Sequence, residues 1–134
     1  MGQTRFLAVD PGETTGWALF EEGTPVRVGQ EKGEVNIWKL IDDLHLDLPL
    51  NFLVIENFRI RPGTNFAWNS VFPANVIGAL KYWAYVHGVE VVLQEPAVKT
   101  ANVAKMGVKK SNRSNHAMDA VAHGSYFWKK YSGA

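Results

Sequence analysis

The chain has no cysteine, which excludes disulfides and every thiolate metal site. Any metal it holds must be met by carboxylate oxygen and imidazole nitrogen, a ligand set that suits hard cations such as Mg²⁺ or Mn²⁺. It has no apolar run approaching the ~20 residues of a membrane span. The opening Met-Gly-Gln-Thr-Arg-Phe has neither the length nor the order of a secretory signal. Internal repeats and low-complexity tracts are absent too. The expectation is a cytoplasmic protein forming one domain, residues 1–134, because 134 residues with 46% apolar content can build a single core.

Acid is also missing from one long stretch, between Glu95 and Asp119, where Lys99, Lys105, Lys109, Lys110 and Arg113 fall. The net charge of +1 hides this asymmetry. Residues 1–56 carry 4 Lys/Arg against 10 Asp/Glu, and residues 57–134 carry 10 against 3, so the halves stand at −6 and +7. A basic stretch of this kind is either a solvated loop face or a contact for a polyanion, and the acids around it favour the second.

Residues 4–10 read as a strand apolar on both faces, hence a central one. Asp10-Pro11-Gly12 turns the chain, Thr15–Phe20 reads as a second strand, Glu22–Pro25 as a turn and Val26–Glu31 as a third strand. Gly33 to about His45 has helical spacing, and Phe52–Glu56 is a short apolar strand ending in an acid. Arg59–Pro73 reads mainly as loop, Ala74–His87 as a helix stopped by Gly88, and Val89–Leu93 as a fifth strand. Pro96 opens a short helix to about Met106, ended by Gly107, and Ser114 or Asn115 caps a last helix to about Tyr131. The order predicts an α/β fold. Its five-stranded mixed sheet has three antiparallel strands, then two parallel ones, with helices on its faces.

Four residues sit badly in ordinary folding chemistry. Asp10 ends the run Phe6-Leu7-Ala8-Val9, Glu56 ends Phe52-Leu53-Val54-Ile55, and His116 and Asp119 stand three apart at the start of a helix. Strands 1 and 4, joined by a crossover, would be parallel and present Asp10 and Glu56 at one sheet edge. Residues three apart share a helix face, so His116 and Asp119 can reach that edge together. Each feature alone has a plain explanation: Asp-Pro-Gly is a common turn, and an Asp near a helix start is favourable there anyway. Together they suit two Mg²⁺ ions ~3.5–4 Å apart, which clamp the attacking and leaving oxygens of a phosphodiester. Asp10, on the central strand, would bridge the ions, with Glu56 on one and Asp119 on the other. His116 is either a ligand or a partner to the attacking water. Ala117, Ala120, Ala122 and Gly124 are small enough for the helix to lie tight on the sheet. His123, one turn beyond Asp119, could support a ligand from behind, but a lone histidine there is more often simply a helix-face residue, and it is left out of the site.

Val9-Asp10-Pro11-Gly12 followed by Thr15-Gly16-Trp17-Ala18 resembles the opening of the RuvC-type Holliday junction resolvases of the RNase H-like superfamily. Val54-Ile55-Glu56-Asn57 resembles their second acidic strand, Pro96-Ala97-Val98-Lys99 the segment with a functional lysine, and Asn115-His116-Ala117-Met118-Asp119-Ala120 their last acidic helix. The resemblance implies an RNase H-like fold and a Mg²⁺-dependent endonuclease, with Mn²⁺ as a plausible substitute. It also implies a homodimer that cuts two opposed strands of a four-way DNA junction. It maps Asp10, Glu56, His116 and Asp119 onto the metal site and Lys99 onto the lysine near the scissile phosphate. Lys105, Lys109 or Lys110 matches a second lysine. Phe58 or Phe66 would stack at the crossover, with Arg59, Arg61 and Arg113 among the DNA contacts, and the helix Ala74–His87 would form the dimer interface.

Eight residues, 108–115, separate Gly107 from His116, where bacterial members carry a longer stretch, so the chain is similar to the short, phage-type variety. Phe58, Phe66, Trp68 and Phe72 serve as well to fill a core or a dimer contact as to meet DNA bases. The acids are shared by other RNase H-like nucleases, including those that act on branched DNA, flaps, RNA or RNA–DNA hybrid. Asp10-x-Gly12-x-Thr14-Thr15-Gly16 also resembles the phosphate loop of actin-like and sugar-kinase ATPases, which need two such domains, more than 134 residues supply. A DNA-binding module without chemistry is disfavoured by the intact acids.

Overall fold

The structure is a computed structural model and describes residues 3–58, 71–98 and 116–133. Five strands form one mixed sheet: β1 (Arg5–Asp10), β2 (Thr14–Glu21), β3 (Thr24–Lys32), β4 (Phe52–Glu56) and β5 (Glu90–Gln94). Their spatial order is β3-β2-β1-β4-β5. β1 pairs antiparallel with β2, β2 with β3, while β1–β4 and β4–β5 are parallel. The long helices among the described residues are α1 (Glu34–Asp47), α2 (Val71–His87) and α3 (His116–Ser132). The expected mixed sheet, three antiparallel strands then two parallel ones, and the central place of β1 are both observed.

The period of two along each strand sorts the core into two layers. Leu7, Val9, Trp17, Leu19, Leu53 and Ile55 face α1 and α2, whose Ile37, Ile41, Val76, Leu80 and Trp83 complete that layer. Phe6, Ala8, Ala18, Phe20 and Val54 face α3 through Ala120, Val121 and Phe127. Phe6 stacks on Phe20 with centroids 4.8 Å apart and meets Phe127 edge-on at 4.8 Å. At the opposite edge from the acids, buried Arg5 donates to the Leu44 carbonyl at 2.6 Å and to that of Leu48, closing the C-terminus of α1.

One expectation is corrected. The second helix starts at Val71, not Ala74, and takes in Pro73; the first-turn N–H groups of a helix have no intrahelical acceptor, so a proline there costs nothing. His123 is fully buried, because small neighbours on α3 bring its face of the helix down onto the sheet. Among the described residues, no helix is long and apolar enough to cross a membrane.

Candidate metal centre

The strand period that sorts the core also aims the acids. Asp10 continues the Phe6-Ala8 face of β1, and Glu56 continues the Phe52-Val54 face of β4, so both point to the α3 side. They stand one step beyond the Val9–Ile55 pair of the parallel ladder. Gly16 pairs with Asp10 on one flank, and Gln94 pairs with Glu56 on the other. Gly16, Asp10, Glu56 and Gln94 thus form one row across four strands, beneath the first two turns of α3.

Gly16 is the contact that lets α3 come down. A Cβ there would stand 2.0 Å from the His116 carbonyl oxygen, so only glycine fits. Further along, a Cβ on Gly124 would meet the Phe20 ring at 2.1 Å. The helix therefore lands with His116 beside Asp10: His116 Nδ1 lies 3.1 Å from Asp10 Oδ2. Asp10, His116 and Asp119 each offer a ligand atom, all within 4.8 Å of one another. Asp10 and Asp119 are buried, and the His116 side chain is 44% exposed, leaving the centre open on one side.

A cavity of about 420 Å³ opens over this group and is lined by Asp10, Pro11, Gly12, Glu56, Asn57, Phe58, Pro73, Pro96, His116 and Asp119. Glu56 stands apart from the tight trio but borders the same space. The turn after Asp10 is held by the buried Thr15, whose hydroxyl donates to the Gly12 carbonyl at 3.2 Å. The Asn57 N–H donates to the Gln94 carbonyl at 2.7 Å and fixes the backbone just past Glu56. Phe58 packs partly against the α1–α2 core layer while it borders the cavity.

The donor set fits a hard divalent cation. It is carboxylate and imidazole with no sulfur, and neighbouring ligands of an octahedral ion with bonds of about 2.1 Å sit about 3 Å apart, as His116 and Asp10 do. The N-terminal end of α3 adds positive potential to buried carboxylates that would otherwise repel one another.

All four metal-site residues expected from sequence meet at one sheet edge. Lys99, Arg59, Arg61, Phe66, Lys105, Lys109, Lys110 and Arg113 lie outside the described residues, as do the expected cap at Ser114 or Asn115 and most of the helix from Pro96. Of two buried residues at the site, Gln94 was not singled out from sequence and His123 was weighed as a support and set aside. Gln94 ends an apolar strand as Asp10 and Glu56 do, which was a usable signal. His123 follows Asp119 by four, the spacing that puts it on the same helix face.

No protein-family model and no curated protein sequence matches the chain. Solved structures do share its fold. Thermus thermophilus RuvC in complex with a Holliday junction substrate matches with TM-score 0.67 and 17% identity over 97% of this chain and 96% of that one. The fowlpox virus Holliday junction resolvase matches with TM-score 0.60 and 14% identity, covering 96% and 99%. YeaZ from Pseudomonas aeruginosa matches with TM-score 0.55 and 16% identity over 78% of this chain and 49% of that one. The chain therefore has the RNase H-like fold of these resolvases, as the resemblance of its short motifs implied.

Proposed function

We propose that the chain is a divalent-metal-dependent endonuclease that resolves four-way DNA junctions. The observation that carries this reading is the gathering of Asp10, His116 and Asp119 within 4.8 Å, at the mouth of a cavity that Glu56 also lines. Asp10, Glu56 and Asp119 would hold Mg²⁺, or Mn²⁺ in its place, with Asp10 central and so suited to be shared by two ions. The bound metal would supply the charge that makes water a nucleophile near neutral pH and stabilises the departing oxygen. His116, half in solvent and touching Asp10, is suited either to complete the ligand set or to orient the water.

DNA is the substrate class that the basic second half of the chain suits, since phosphate contacts supply most of nonspecific affinity. Lys99, Lys105, Lys109, Lys110 and Arg113 are its proposed phosphate contacts, with Arg59, Arg61, Phe58 and Phe66 the contacts at the crossover. The fold likeness to two Holliday junction resolvases supports a junction over plain duplex. A homodimer is proposed because a two-fold assembly gives one site to each of two opposed strands. Its interface would be α2, which exposes Tyr82, Tyr85 and Val86 beside Trp38 of α1.

The test is cleavage of synthetic four-way junctions, flaps, duplex and RNA–DNA hybrid in Mg²⁺, read at nucleotide resolution. Paired, symmetric cuts on the junction support the reading. Equal cutting of flaps, or preference for hybrid, would assign a broader branched-DNA or RNA-acting nuclease instead. Cleavage that persists in EDTA would overturn the metal assignment.

A further inference from the structure

His123 is fully buried on α3, one turn after Asp119, on the side of the sheet where Phe6, Ala8, Phe20 and Val54 also pack against α3. Burying an imidazole costs free energy unless its nitrogens are partnered. Nδ1 is partnered, 2.7 Å from Gln94 Oε1. Nε2 has no hydrogen bond among the described residues, and a Glu56 carboxylate oxygen lies 3.9 Å from it. Closing that gap to a hydrogen bond takes about 1 Å.

We propose that His123 is a positioning residue for Glu56: anchored on Gln94, it fixes the carboxylate at the angle from which Glu56 meets a divalent cation. This rests on the metal-dependent reading above. The backbone of Glu56 is already pinned between β1 and β5, but its side chain keeps three torsions. A buried donor behind the carboxylate selects among them, as partners of ligating groups commonly do. A carboxylate only accepts, so His123 reaches it through Nε2–H. Nδ1 of the neutral ring is then an acceptor, and the Gln94 amide satisfies it by presenting its NH₂ group, a half-turn about its last torsion. No net charge enters the core in this arrangement.

The side-chain amides of Asn and Gln separate the two nitrogens of the ring, since Asn mimics Nδ1 and Gln mimics Nε2. Wild type and the variants His123→Gln, His123→Asn and His123→Leu are compared for Mn²⁺ affinity by calorimetry without DNA, and for thermal midpoint without metal. Asp10→Asn serves as the metal-site control. The expected result is a loss of about 10- to 100-fold in Mn²⁺ affinity for His123→Asn and His123→Leu. His123→Gln should stay within about threefold of wild type, whatever the midpoints do. On junction DNA the weakened variants should lose kcat at a fixed Mn²⁺ concentration and keep KM. Equal Mn²⁺ affinity in all three variants, or affinity that merely follows the midpoint, would overturn the inference alone. Wild type binding Mn²⁺ no more tightly than Asp10→Asn would instead sink the metal reading and take this inference with it.

Discussion

Gly16 on β2 lies directly against the backbone of His116: a Cβ built on it would stand 2.0 Å from the His116 carbonyl oxygen and 2.6 Å from His116 Cβ. The obstacle is largely backbone, so no side-chain rotation relieves it. Gly16→Ala should push the start of α3 off the sheet and part His116 and Asp119 from Asp10. Overpacking of this kind costs about 1–3 kcal/mol. The expected outcome is a lower urea midpoint together with at least a tenfold loss of Mn²⁺ affinity. Unchanged Mn²⁺ binding in a folded Gly16→Ala protein would mean that the helix start does not set the metal centre.

Asp10 and Asp119 are buried acids whose neutral amide isosteres keep shape and lose charge. Asp10→Asn and Asp119→Asn should each lower junction cleavage in Mg²⁺ by at least about a hundredfold, the upper end of what removing even an indirect partner of a metal site costs. Junction binding, measured by gel shift, should change little, because affinity comes mainly from Lys and Arg on phosphates. Wild-type cutting by Asp10→Asn would remove the proposed role of the centre.

Asp10 and Glu56 were legible in the sequence because each broke a pattern. A charge at the end of an apolar run is visible without knowing the fold, and the crossover rule made their strands parallel; that the two strands are neighbours is what the structure adds. The tight landing of α3 was legible from Ala117, Ala120 and Gly124. Gln94 was not read as part of the site and His123 was set aside, since their contact spans 29 positions of chain. A histidine on a helix shows its spacing in sequence, but the strand residue that receives it does not. The start of α2 was missed for a local reason: Pro73 reads as a helix stop, yet in a first turn it removes no hydrogen bond.

His45 is held below its ordinary protonation range, first by burial and then by the neighbouring His87 and Arg5, with Asp42 opposing. Its Nδ1 accepts the Leu50 N–H at 3.0 Å, a bond that protonation there would end. The folded state thus favours the neutral ring, while the unfolded chain takes up its proton near about pH 6.5. Stability from this site is full above that pH, and is lost as pH falls from there toward the lower folded-state value. His45→Asn keeps an acceptor for Leu50 and cannot titrate. Between pH 7.5 and 5.5 its urea midpoint should fall less than that of wild type. Equal falls would mean that His45 does not contribute to the acid slope.

Tyr82 and Tyr85 are 70% and 84% exposed on α2, with Val86 and Trp38 close by. Aromatic surface on one helix face suits contact with a second copy of the chain. Sedimentation at micromolar concentration should show a dimer for wild type and a shift to monomer for Tyr82→Lys combined with Tyr85→Lys. The paired cuts should then become single nicks, because each site would act alone. A monomeric wild type, with and without junction DNA, would count against the dimer.

Lys109 and Lys110 lie in the stretch between Glu95 and Asp119 that holds no acid. If each neutralises one phosphate, each adds about one to the slope of log affinity against log salt concentration. Lys109→Ala with Lys110→Ala should therefore reduce that slope by about two and weaken junction, flap and duplex alike. Discrimination between them should be preserved, because a lysine on phosphate positions the complex without reading its shape or sequence. An unchanged salt slope would assign the basic stretch to solvent; a loss confined to the four-way junction would assign these lysines to recognition of the crossover itself.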